Sequence, residues 1–154
     1  RDPVECLDEF LAMMNGCEKH LTHNGFRFDI PFVIEQARRL GAGGLNEEEL
    51  SSFESKLYRT GVDSAVLFKA SKLNLSRGIG ESFKQFADRV MEIRAYGLKY
   101  NVGVCCDELG IDRSNIKQHR ALGDVALTLE IYRKMDLLFP VLDRQSTEEQ
   151  EVPF

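Results

Sequence analysis

No apolar run in this chain of 154 residues approaches the ~20 needed to cross a bilayer, and no signal-peptide pattern opens it. No membrane association is expected, and the reading is an intracellular protein. No Cys-x-x-Cys pair occurs among Cys6, Cys17, Cys105 and Cys106, so neither a disulfide framework nor a zinc site is expected. The four read as reduced cysteines in apolar helical settings. Internal repeats, heptads and low-complexity tracts are also lacking. Positive charge is in deficit, with a formal net charge of −5, which argues against a generic polyanion binder. The first residue is Arg1 instead of Met, as expected of a cut piece or a processed product.

What remains is one domain's worth of chain with an ordinary globular composition. Helices are expected from the Asp2-Pro3-Val4-Glu5 start, over about 30–40 behind Asp29, and from the Asn46/Glu49 cap to near Gly61. Further helices are expected over 67–73, 82–96, 102–109 and 121–138. The second helix is expected to turn Phe32, Val33, Ile34, Ala37 and Leu40 inward, and the 82–96 helix Phe83, Phe86, Val90 and Ile93. Two short strands are read at 19–22 and 62–66, the latter either a strand by itself or one turning straight into the 67–73 helix. Between Lys56 and Tyr100 nine basic residues face four acidic ones; such a run is either a solvated helix face or a nucleic-acid contact. Residues 143–154 read as an acidic, disordered tail.

The stretch His23-Asn24-Gly25-Phe26-Arg27-Phe28-Asp29-Ile30-Pro31-Phe32 organises the rest. Strand, glycine-containing turn and acidic helix start put a carboxylate at the mouth of a sheet, where open α/β folds bind ligands. Read alone, Asp29 is an ordinary helix cap before Pro31. A second stretch, His119-Arg120-Ala121-Leu122-Gly123-Asp124, opens the last long helix. Read alone, Asp124 is a first-turn acid facing the helix dipole, and His119 a loop histidine.

Together, in this order and some ninety residues apart, the two stretches resemble the second and third motifs of the DEDDh, or DnaQ-like, 3′→5′ exonucleases. The resemblance runs from about Asp2 to Leu138, and Asp63-Ser64 is similar to an Asp-Ser or Asp-Thr that follows the family's second motif. It implies an α/β, ribonuclease-H-like fold, dominated here by helices, with residues 1–142 forming the C-terminal portion of the exonuclease domain. It implies phosphodiester hydrolysis with two Mg²⁺ or Mn²⁺ ions, hard cations suited to carboxylate oxygen. Asp124 would be a direct metal ligand, Asp29 a carboxylate on the side of the second ion, and His119 the base toward the attacking water. Asn24, Lys117 and Arg120 would meet substrate. The implied partner is the 3′ end of nucleic acid, single-stranded DNA ahead of RNA.

The family's first motif, Asp-x-Glu on the central strand, occurs nowhere in this chain. Asp8-Glu9 and Asp107-Glu108 are adjacent pairs within expected helices, where neighbours do not face one site. Half of the metal site and the first strands of the sheet are thus wanting. An N-terminal segment supplied from elsewhere, or a homodimer, is expected to cover the exposed edge. The alternative reading is a catalytically dead module that binds nucleic acid or a protein partner.

Overall fold

A computed structural model of the chain describes residues 2–116 and 121–138. The expectations for Lys117, His119 and Arg120, and for the tail 143–154, concern residues outside that set. Helices dominate, and one parallel pair of strands makes the architecture mixed α/β. The described residues divide into two compact units, one ending at Asp63 and one beginning at Ser64.

In the first unit, helix α1 (Pro3–Gly16) starts at Asp2, whose carboxylate accepts from the Val4 N–H at 2.9 Å, with proline at the first helical position. Strand β1 (His20–Thr22) leads through a turn to α2 (Asp29–Leu40). Gly41 stops α2 at φ 64°, a left-handed position that suits glycine. A 3₁₀ turn (Ala42–Gly44) follows and packs against α1. Helix α3 (Glu47–Thr60) opens on the expected capping box: Asn46 accepts from the Glu49 N–H at 3.0 Å, and the Glu49 carboxylate takes the Asn46 N–H at 2.8 Å. Strand β2 (Gly61–Asp63) then pairs with β1 in parallel, His20 opposite Gly61 and Thr22 opposite Asp63. A parallel pair needs such a crossover, here made by α2 and α3.

The inward face of α2 differs from the expected one. Ile30, Ile34 and Ala37 are buried, spaced as one helical stripe, while Phe32 is 64% exposed and Leu40 also lies outside the core. Ile30 rather than Phe32 sets the phase of the helix, and the two residues point nearly to opposite sides.

In the second unit, α4 (Ser64–Lys72) follows β2 with no intervening residue and is almost wholly buried. Helix α5 (Phe83–Glu92) opens on Ser82 with a second capping box, through Gln85, and buries Phe86, Ala87 and Val90. It ends at Glu92, four residues before the expected Tyr96, and Ile93 is partly exposed instead of inward. The reason lies in Lys69, a buried residue of α4. Its ammonium takes the carbonyls that a further turn would use: it donates to the Met91 carbonyl at 3.2 Å and to the Ile93 carbonyl at 2.7 Å, as cations do at helix C-termini. Helices α6 (Val102–Glu108) and α7 (Ala121–Leu138) complete the unit, with Leu127, Ile131 and Met135 forming the buried stripe of α7. Cys105 and Cys106 are buried as expected, and burial pushes the Cys105 thiol up to about 12; Cys6, however, is exposed. No described helix is long and apolar enough to cross a membrane.

Candidate active site

The turn between β1 and α2 is held by a carboxylate from β2. Asp63, 1% exposed, accepts from the Asn24 N–H at 2.7 Å and from the Phe26 N–H at 3.0 Å, one oxygen to each. Charged acceptors make strong bonds, and these two fix main-chain groups that a turn would otherwise leave to solvent. Asn24 takes φ 64°, which asparagine tolerates better than most residues. Gly25 is packed on Thr22 so closely that a Cβ would lie 2.5 Å from the Thr22 Cβ, so no side chain fits there. Phe26 is buried edge-on to Tyr58, ring centroids 5.3 Å apart, and the Tyr58 hydroxyl donates to the Phe26 carbonyl at 3.3 Å.

Asp29 emerges from this brace as the first helical residue of α2, one position later than a cap. The capping position belongs to Phe28, which makes no side-chain cap. The main chain compensates: the Gly25 carbonyl receives the Ile30 N–H at 2.9 Å. Asp29 is exposed, between Phe28 at 63% and Phe32 at 64% exposure. Its carboxylate therefore stands open to solvent beyond the carboxyl ends of two strands that finish in register. Asn24 is half-buried; its main-chain N–H serves the brace, and its side-chain oxygen is shielded from solvent with no hydrogen-bond partner. His20 is a strand residue, as expected; burial lowers its pKa, so the ring is neutral near pH 7, and its Nε2 is unpartnered.

Asp124 lies in the first turn of α7 in the second unit, half-buried, one turn ahead of Leu127. His119, Lys117 and Arg120 precede it, outside the described residues. Around Asp124 the helix carries a second apolar row, Leu122, Val125 and Leu129, which is exposed, Leu122 to 85%. Among the described residues no group of three or more His, Cys, Asp and Glu side chains could hold a metal ion. Asp29 and Asp124 suit Mg²⁺ or Mn²⁺ in kind, since both offer hard carboxylate oxygen. They fall short in number, being half of the four carboxylates that the resemblance implies.

The residue whose role the sequence left unread is Asp63. Its one sequence-level signal was the Asp-Ser that follows the second motif, and nothing local connects it to the turn it holds.

Compared with family models, with curated proteins and with solved structures, the chain matches none.

Proposed function

We propose that the chain is the C-terminal portion of a ribonuclease-H-like exonuclease domain of the DEDDh type, which removes nucleotides from 3′ ends, DNA ahead of RNA. The observation that supports this best is the braced turn. A carboxylate in the His-Asn-Gly-x-x-Phe-Asp setting stands free at the carboxyl ends of parallel strands, the position at which open α/β sheets bind ligands. Asp124, in the first turn of a long helix behind His-Arg-Ala-Leu-Gly, is the second carboxylate. In the complete site bound Mg²⁺ or Mn²⁺ supplies an activated water and offsets charge on the phosphoryl oxygens. The chain's own residues have simpler tasks. Asp29 and Asp124 are ligands, His119 takes a proton from the nucleophile, and Lys117 and Arg120 meet phosphate.

Two carboxylates do not hold two ions, so the chain alone hydrolyses nothing. Incubated with Mg²⁺ or Mn²⁺, a labelled single-stranded oligonucleotide stays at full length within background. Metal-dependent shortening by pure protein would mean that other residues replace the Asp-x-Glu pair. A second reading, the catalytically dead binding module, is favoured by one specific observation, the lack of any Asp-x-Glu. Coding sequence upstream of Arg1 discriminates the two. An apolar strand bearing Asp-x-Glu belongs to the enzyme, and its absence to the dead module.

The exposed row on α7 in the second unit and, separately, Phe28 and Phe32 in the first are apolar surface of the kind that partners or further strands cover. The chain alone is therefore expected to associate, as a homodimer or with a supplied segment. Light scattering at increasing concentration checks this, and a monodisperse monomer throughout would contradict it.

A further inference from the structure

The basic stretch 56–100 looks very different once its side chains are placed. Within the second unit most of its cations are already engaged. Lys69 is on helix-end carbonyls, Lys72 on Glu108, and Arg77 on the Glu81 carbonyl. Lys84 pairs with Asp88 at 2.7 Å and Arg89 with Glu81 at 2.8 Å. The Arg89 guanidinium, helped by the Gly78 N–H, holds the Glu81 carboxyl down at about 2. Two cations stand apart. Arg94 and Lys99 are exposed and have no ion-pair or hydrogen-bond partner among the described residues.

These two flank an aromatic ring presented with unusual completeness. Tyr96 is 94% exposed, at the corner of a tight turn in which the Leu98 N–H donates to the Ala95 carbonyl at 3.2 Å. Gly97, next in the turn, takes φ 78°, the positive value such turns demand. Both ends of the loop are tethered. Lys69 holds the Ile93 carbonyl at one end; at the other, Asn101 caps α6 by accepting from the Val104 N–H at 3.0 Å. Beside Tyr96 opens a hollow of about 330 Å³, lined among others by Met91, Arg94, Leu98 and Tyr100, with the Lys69 ammonium 5.6 Å from the centre of the Tyr100 ring.

We propose that the Arg94–Tyr96–Lys99 turn is a contact site for single-stranded nucleic acid. Tyr96 stacks on one base, the adjacent hollow admits a neighbouring one against Tyr100, and Arg94 and Lys99 meet the flanking phosphates. An exposed aromatic between free cations is the arrangement by which single strands are held without sequence preference, because every base has a π-face. A lone exposed tyrosine would carry no such meaning; the unengaged charges on both sides and the tethered loop supply it. A duplex keeps its bases stacked inside and offers only the charge contact. The inference rests on the reading that this chain meets nucleic acid, but not on hydrolysis.

The test measures anisotropy of a short fluorescein-labelled oligothymidylate with the full chain, in EDTA so that nothing is cleaved. Tyr96→Ala is expected to weaken binding roughly tenfold, whereas Tyr96→Phe, which keeps the ring, stays close to the parent. Arg94→Gln combined with Lys99→Gln should flatten the dependence of log affinity on log salt by about 1.4, two phosphates at about 0.7 each. Lys19→Gln combined with Lys134→Gln, an exposed pair with the same loss of two charges, should do less. A parent chain that does not bind at low salt overturns the proposal, and so does a Tyr96→Ala chain that binds like the parent. The latter result would leave the nucleic-acid reading standing with its contact elsewhere. Equal weakening by Ala and Phe would also overturn it, since stacking would not be the cause. Because Tyr96 and the two cations are exposed, unchanged circular dichroism separates each outcome from misfolding.

Discussion

In the complete domain, Asp124→Ala is expected to abolish more activity than any other single change, exceeding the loss from His119→Ala. Removing a general base typically costs ~10²–10⁴-fold in kcat. A group that acts only in proton transfer leaves ground-state binding nearly intact, so His119→Ala should keep its affinity for Mn²⁺ and for DNA. Asp124 is different in kind. As the direct ligand proposed above it would hold an ion as well as orient what the ion carries, so its loss should lower Mn²⁺ affinity and kcat together. Asp29→Ala should fall between the two if its contact runs through water. Measuring kcat and Mn²⁺ affinity for all three variants at several pH values gives the ranking. A His119→Ala domain with parental kcat across neutral pH would remove the base assignment and the DEDDh mechanism with it.

The largest effect on stability is expected at Asp63. Its two oxygens are the acceptors for the Asn24 and Phe26 N–H groups, in a setting closed to water. Asp63→Ala leaves both donors unsatisfied, at about 1–3 kcal/mol each. The sum is a large share of the ~5–15 kcal/mol that holds a typical domain together. Asp63→Asn keeps one oxygen but turns an amide NH₂ toward the other N–H, and should lie between Ala and the parent. Urea unfolding followed by circular dichroism reads the differences. A loss below about 1 kcal/mol for Asp63→Ala would mean that water reaches the turn and replaces the carboxylate.

These two residues mark how far the sequence could be read. Features decided within a turn of helix were legible: the Asp2-Pro3 start of α1 and the Asn46/Glu49 cap of α3 with its end before Gly61. The strand read over 62–66, by contrast, stops at Asp63, and Ser64, Ala65 and Val66 are already helix. Where a distant group decides, local pattern misled. Lys69 reaches across from α4 to end α5 early, and Phe32 yields the inward face of α2 to Ile30. Cys6 sits in an apolar-looking helix yet faces solvent. For the candidate site, the exposed carboxylate Asp29 was visible in the motif. The carboxylate that holds it in place was not, because its partners are 37 and 39 positions away.

That separation also fixes an order of events as the chain folds. Helices α2 and α3 close their own bonds over four residues and can form early. The contacts of Asp63 with Asn24 and Phe26, and the bond from the Thr22 hydroxyl to the Val62 carbonyl at 3.3 Å, must wait until the whole crossover has been drawn together. The turn that presents Asp29 is thus among the last parts of its unit to be completed. Besides the local Ile30 N–H bond to the Gly25 carbonyl, it is held by the Asp63 carboxylate at the end of β2, so it opens with the strand pair. The main-chain amides of Asn24 and Phe26 accordingly share one cooperative opening with β1 and β2, and fraying of α2 alone does not release them.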